Sequence, residues 1–158
     1  MKDRVCLGSL CSENQTILTA IGMTTNPFLN VKFDGIIGLS FSHLSVNQEA
    51  NYLDFLYYQK KISEKVFAFY FNKNDHFKSQ LTLGGIDNAK FQGDLVLSKV
   101  ISQNYWEIKI DAIYYGNKKL NICDEIMCTG ILDTGTSMIA APSGKLLYEL
   151  ILFYYIIN

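Results

Sequence analysis

The chain has 158 residues, 49% of them hydrophobic, 13% aromatic and 18% charged, which is enough for one domain with a real core. Fourteen basic residues against fifteen acidic ones leave a net charge of −1, which excludes binding to nucleic acid or anionic membrane by bulk charge. A mean hydropathy of +0.10 and only two prolines exclude a disordered or collagen-like chain.

In chain order, Met1 to Cys6 carries charges with no apolar stretch behind them, so it does not read as a signal peptide. Cys6 and Cys11 share their spacing with Cys123 and Cys128. Two readings stay open. Four thiolates at knuckle-like spacing suit a zinc site, and two local disulfides closing hairpin-like stretches suit an oxidising compartment. Asn14-Gln15-Thr16 is an N-glycosylation sequon. Phe33-Asp34-Gly35-Ile36-Ile37-Gly38-Leu39 sets two apolar residues between glycines and predicts a buried strand that another backbone approaches closely. Residues 47–58 predict a helix whose apolar stripe is Tyr52, Phe55 and Leu56.

Strand signals dominate the remainder. KVFAFYF (65–71) and QLTL (80–83) bracket a polar turn and predict a hairpin. The second of these runs into Gly84-Gly85, which is not a phosphate loop because no Gly-Lys-Ser/Thr follows. Residues 95–101 and 106–115 predict two more strands. In the latter, Ile108, Ile110 and Ala112 alternate with Lys109 and Asp111. Gly116-Asn117 predicts a turn leading into residues 119–123. His43 and His76 read as solvated loop residues. Residues 142–152 predict a helix opened by Pro142. The apolar run at 146–157 is shorter than the roughly 20 residues a membrane-spanning helix needs, so no stable span is expected. The fold class is mainly β.

The segment with the most chemistry is Ile131-Leu132-Asp133-Thr134-Gly135-Thr136-Ser137. An Asp ending an apolar strand is costly to bury unless its carboxylate is hydrogen-bonded. Backbone N–H groups of the Gly135 turn, and the hydroxyls of Thr136 and Ser137, are candidate donors. The expected product is a carboxylate fixed in a tight loop.

Taken in order, FDGIIGLSF, LTLGGID, YWEIKID and ILDTGTS resemble the pepsin family of aspartic proteases, most closely its plasmepsin branch. The resemblance runs from about Asp3 to Leu147. It implies a two-lobed, β-rich peptidase with one catalytic Asp per lobe, each in a D-T-G loop. The two carboxylates share a proton, because neighbouring like charges do not both ionise, and together they activate a water against a peptide bond. By that resemblance Asp133 is the second-lobe carboxylate, Thr134 makes the contact between lobes, and Gly135, Thr136 and Ser137 complete the loop. Ile36, Tyr105 and Ile131 would line a cleft that prefers large hydrophobic residues. Cys123–Cys128 matches a family disulfide, whereas Cys6–Cys11 stays open. No metal or cofactor is implied. The partner is a protein or peptide substrate, family members usually act as monomers, and a secretory, vacuolar, lysosome-like or extracellular address follows.

The match is partial. One D-T-G is present where the family has two, and Ile36-Ile37-Gly38 resembles the brace of a first loop that is not in the chain. Residues 1–89 therefore read as the end of the first lobe and 90–158 as the start of the second. A chain with one carboxylate of the pair is expected to be inactive alone. Two alternatives accompany this reading: a homodimer with one Asp133 per chain, and a non-catalytic peptide-binding module.

Overall fold

The computed structural model describes residues 1–26, 28, 31–124, 127–136 and 139–141. The expected helix at 142–152, the apolar run at 146–157 and Ser137 lie outside the described residues. Strands dominate, as expected. Among the described residues they form four two-stranded antiparallel sheets, and the chain divides into two compact units, Met1–Leu95 and Val96–Asn158.

The first unit opens with a hairpin that strand signals alone did not reveal: β1 (Lys2–Leu7) pairs with β2 (Leu10–Thr16) around Gly8-Ser9. Cys6 lies directly opposite Cys11, and the pair is joined in a disulfide with Cα atoms 4.0 Å apart. The register slips between Asp3 and Val5, so Glu13 and Asn14 together face Arg4 as a β-bulge. Asn14 takes a φ of 54°, the left-handed region that Asn tolerates better than most residues. The bulge is pinned from outside. The Gln59 carboxamide accepts from Glu13 N–H at 2.9 Å and donates to Glu13 C=O at 2.6 Å.

The helix is shorter than predicted. A single 3-10 turn occupies Gln48–Ala50, and α1 runs only from Tyr52 to Tyr58. Asn51 decides this. Its side chain accepts from Asp54 N–H at 3.0 Å, as an N-cap does, while its Nδ2 donates to Ser40 C=O at 3.0 Å. At the other end Lys60 N–H reaches Tyr57 C=O at 2.9 Å and Lys61 N–H reaches Leu56 C=O at 2.8 Å. With Lys60 at φ 56°, these two bonds form a Schellman stop in which a lysine stands where glycine is usual.

Stopping there turns Ile62 inward. Tyr52, Leu53, Leu56 and Ile62 are buried together, with Leu7, Leu10, Phe67 and Leu83 packed against them. Phe55 of the expected stripe is only half-buried, and Leu53 takes its place. The Tyr52 hydroxyl donates to Leu10 C=O at 2.9 Å, and burial pushes its phenol above the usual range. Each fully buried apolar side chain contributes roughly 1.5–3 kcal/mol.

The predicted hairpin forms as β3 (Phe67–Tyr70) and β4 (Gln80–Leu83), in register from Phe67 opposite Leu83 to Tyr70 opposite Gln80. Gly84 ends β4 at φ +83°, where a Cβ would meet Ile62 Cβ at 2.8 Å. Two constraints thus coincide at one residue, backbone sign and close contact with the core.

Phe33–Leu39 departs from expectation. It forms no strand, Ile36 is 77% exposed, and a Cβ added at Gly35 or Gly38 would meet no other described residue within 4 Å. No strand runs beside it among the described residues, so its backbone has no ladder to join. Ile36 and Ile37 instead line an open recess of about 530 Å³ with Val5, Ile17, Phe41 and Leu44.

In the second unit, β5 (Glu107–Ile110) pairs with β8 (Cys128–Ile131), and β6 (Ile113–Tyr115) with β7 (Lys118–Leu120). The predicted single strand at 106–115 is therefore two strands with different partners, divided at Asp111-Ala112. Ile108 and Ile110 are half-buried and Lys109 is exposed, as alternation requires. Gly116-Asn117 makes the predicted turn, and Leu120 is the buried residue of this hairpin. The expected strand at 95–101 shrinks to one bridge, Val100 opposite Ile108, with Ile101 N–H on Glu107 C=O at 2.9 Å. Leu95, Val96 and Leu97 are exposed because nothing described pairs with them.

Candidate active site

The Asp133 loop is built from β8. Cys128 opens that strand opposite Ile110, and its disulfide to Cys123, with Cα atoms 5.4 Å apart, ties the strand's first residue to the turn before it. Both cysteine pairs are thus consumed as local disulfides, which leaves no sulfur for the tetrathiolate alternative. Along β8, Gly130 faces Ile108, and the Ile110 side chain reaches over it, where a Cβ would stand 2.7 Å from Ile110 Cδ1. Pairing continues one residue beyond the strand, since Leu132 N–H donates to Trp106 C=O at 3.0 Å.

At Asp133 the chain turns. Gly135 N–H donates to Oδ1 at 2.8 Å, the Thr136 hydroxyl donates to Oδ2 at 2.6 Å, and Thr136 N–H closes on Asp133 C=O at 3.4 Å. Each carboxylate oxygen thus receives one donor and keeps lone pairs for a further partner. The Thr136 hydroxyl first, and the Gly135 N–H second, hold the Asp133 carboxyl below its usual range, against a small opposing effect of desolvation. Asp133 is exposed, so the expected burial is not what its hydrogen bonds offset. They fix direction instead.

Of the residues singled out from sequence, Asp133, Thr134, Gly135 and Thr136 share this loop, with Thr134 exposed in the turn. Ile131 is the last residue of β8 and Tyr105 precedes the Trp106 carbonyl that Leu132 N–H reaches; they are 51% and 45% exposed. Ile36 belongs to the first unit and lines the recess there. Asn14 sits on the bulge of β2, also in the first unit. The Trp106 carbonyl is a contributor that sequence reading passed over. Its backbone extends the pairing to the edge of the loop. Register arithmetic from YWEIKID to ILDTGTS would have found it.

An ionised carboxylate with lone pairs that no other described residue occupies can accept a proton from a bound water. Its depressed proton affinity makes it a weak base alone. A second carboxylate beside it would raise that affinity by like-charge repulsion.

Residues 1–149 match the family model described as eukaryotic aspartyl protease. The chain is similar to cathepsin D of Chionodraco hamatus, 35% identical over 144 residues, covering 90% of this chain and 36% of the relative. It is similar to cathepsin D of Gallus gallus, 34% identical over 144 residues with the same coverage, 90% and 36%. Pepsin B of Canis lupus familiaris is 30% identical over 142 residues, covering 89% of this chain and 36% of the relative. The chain therefore spans little more than a third of the length of these relatives.

Proposed function

The chain belongs to the eukaryotic aspartyl protease family, and on that premise we propose that it supplies one of the two catalytic carboxylates of an endopeptidase. The observation that carries this reading is the Asp133 carboxylate, held by Gly135 N–H and the Thr136 hydroxyl at the end of β8. In the proposed reaction, Asp133 and a carboxylate from the other half of the enzyme share one proton. The ionised member takes a proton from the water between them. The hydroxide so formed attacks the peptide carbonyl, and the protonated member supports the oxyanion. Thr136 and Gly135 keep Asp133 aimed at that water. Thr134 makes the contact beneath the pair.

The substrate is a protein or peptide, cut beside large hydrophobic residues. The exposed side chains of Tyr105 and Ile131 support that preference, and Ile36 is proposed to serve the same cleft. Residues 1–89 and 90–158 supply parts of two lobes. FDGIIGLSF, LTLGGID, YWEIKID and ILDTGTS together favour the plasmepsin branch as the finer placement. Two disulfides support a secretory or lysosome-like route. A single carboxylate cannot share a proton with itself, so the 158-residue chain is inactive alone and the complete enzyme acts as a monomer.

The test is a chimera in which residues 1–149 replace the matching part of a cathepsin D that keeps its own first carboxylate. It should hydrolyse a hydrophobic peptide, and Asp133→Asn should lower kcat by about 10²–10⁴-fold, the usual weight of a general acid–base group. Unchanged turnover in Asp133→Asn would overturn the assignment. Turnover by the isolated chain would overturn its inactivity. Peptide binding without hydrolysis in the chimera would favour a non-catalytic groove.

A further inference from the structure

The bulge in β2 has no part in the peptidase reading, yet it presents a chemically specific group. Asn14, Gln15 and Thr16 form the N-x-Thr acceptor sequence for N-linked sugar. The three side chains are treated differently by the fold. Asn14 is exposed at φ 54°, and its carboxamide bonds to no other described residue. Gln15 is 3% exposed, where it accepts from the Ser12 hydroxyl at 3.0 Å and donates to Glu49 C=O at 3.2 Å. The Thr16 hydroxyl donates to Glu49 Oε2 at 3.3 Å. The peptide before Asn14 is held by Gln59, so the bulge cannot straighten without breaking both bonds to Glu13.

We propose that Asn14 is an N-glycan acceptor, modified before the β1–β2 hairpin closes. The carboxamide nitrogen displaces the pyrophosphate from the anomeric carbon of a lipid-pyrophosphate-linked oligosaccharide. A C–N bond forms, the C–O bond to phosphate breaks, and one amide proton leaves to a base. No oxidant is required. An open chain offers all three sequon residues to a transferase. The closed hairpin offers only Asn14 freely, because Gln15 is buried and the Thr16 hydroxyl is engaged by Glu49, and Cys6–Cys11 locks that state three residues upstream. The finished fold nevertheless accommodates the sugar, since the bulge points the acceptor at solvent. The two disulfides mark the oxidising lumen in which both reactions take place.

The experiment translates the full 158-residue chain behind a cleavable signal sequence into microsomes, with a control sequon appended after Asn158. Two glycosidase-sensitive mobility steps are expected. One should be lost in Asn14→Gln and in Thr16→Ala and kept in Thr16→Ser. Asn14→Gly should also lose it, and glycine accepts the positive φ, so that loss would not come from a strained hairpin. Reductant during translation, or Cys6→Ser, should raise occupancy at Asn14 while leaving the control sequon unchanged. Modification of the control sequon alone would overturn the site. A modified Asn14 whose occupancy ignores reductant and Cys6→Ser would overturn the timing.

Discussion

Two apolar stretches of the first unit, some twenty residues apart, end in opposite environments. Around α1, Tyr52, Leu53 and Leu56 are buried against Ile62, and the helix carries its own hydrogen bonds with Asn51 and Lys60–Lys61 completing its ends. Phe33–Leu39 is at least as apolar, yet Phe33, Ile36 and Ile37 are 53%, 77% and 42% exposed. A helix satisfies its backbone from within. A strand depends on a neighbour, and hydrophobicity alone does not supply one. The recess beside Ile36 and Ile37 thus reflects a stretch that joins no sheet among the described residues, rather than the character of its side chains.

Substitutions on the two sides should separate cleanly. Leu56→Ala removes a fully buried side chain and is expected to cost about 2–5 kcal/mol in urea unfolding followed by circular dichroism. Ile36→Ala should change the same midpoint by no more than about 0.5 kcal/mol. Equal losses would mean that Ile36 is part of a core after all. Asn51→Ala joins the two regions, because its side chain caps α1 and holds Ser40 C=O just beyond the apolar stretch. A loss of about 1–2 kcal/mol is expected. Hydrogen exchange should rise at Asp54 N–H, the amide freed from its cap.

Smaller, and opposite in sign, is Lys60→Gly. It relieves a left-handed lysine while keeping the Schellman bonds, for a gain of about 1 kcal/mol or less after the added freedom of the unfolded chain. The smallest effect lies in the second unit, at the exposed Asp133 loop. Its folded carboxyl is held low by Thr136 and Gly135. The stability these bonds add is therefore present above the unfolded carboxylate range and is lost as pH falls through the lowered value. In a carboxyl-carbon NMR titration, Thr136→Val should move the Asp133 midpoint upward. An unmoved midpoint would sever the hydroxyl from the carboxylate.

The same contrast explains what the residues disclosed in advance. The β3–β4 hairpin, the Gly116-Asn117 turn and the Asp133–Gly135–Thr136 contacts were legible because each depends on neighbours in sequence. The first hairpin was half-legible. The spacing of Cys6 and Cys11 suggested closure, but polar residues 12–16 hid the strand. The strands at 33–39 and 95–101 were misread because their apolar content says nothing about which strand lies alongside. The break at Asp111-Ala112 was hidden by continuous alternation, for the pattern names a face and not a partner. Ile36 illustrates the limit within the candidate site, since its membership depends on an arrangement of lobes that no local string encodes.

The three bonds that organise Asp133 come from Gly135 and Thr136, within three residues of it. The carboxylate's aim is therefore written into a tetrapeptide, as a self-contained cassette.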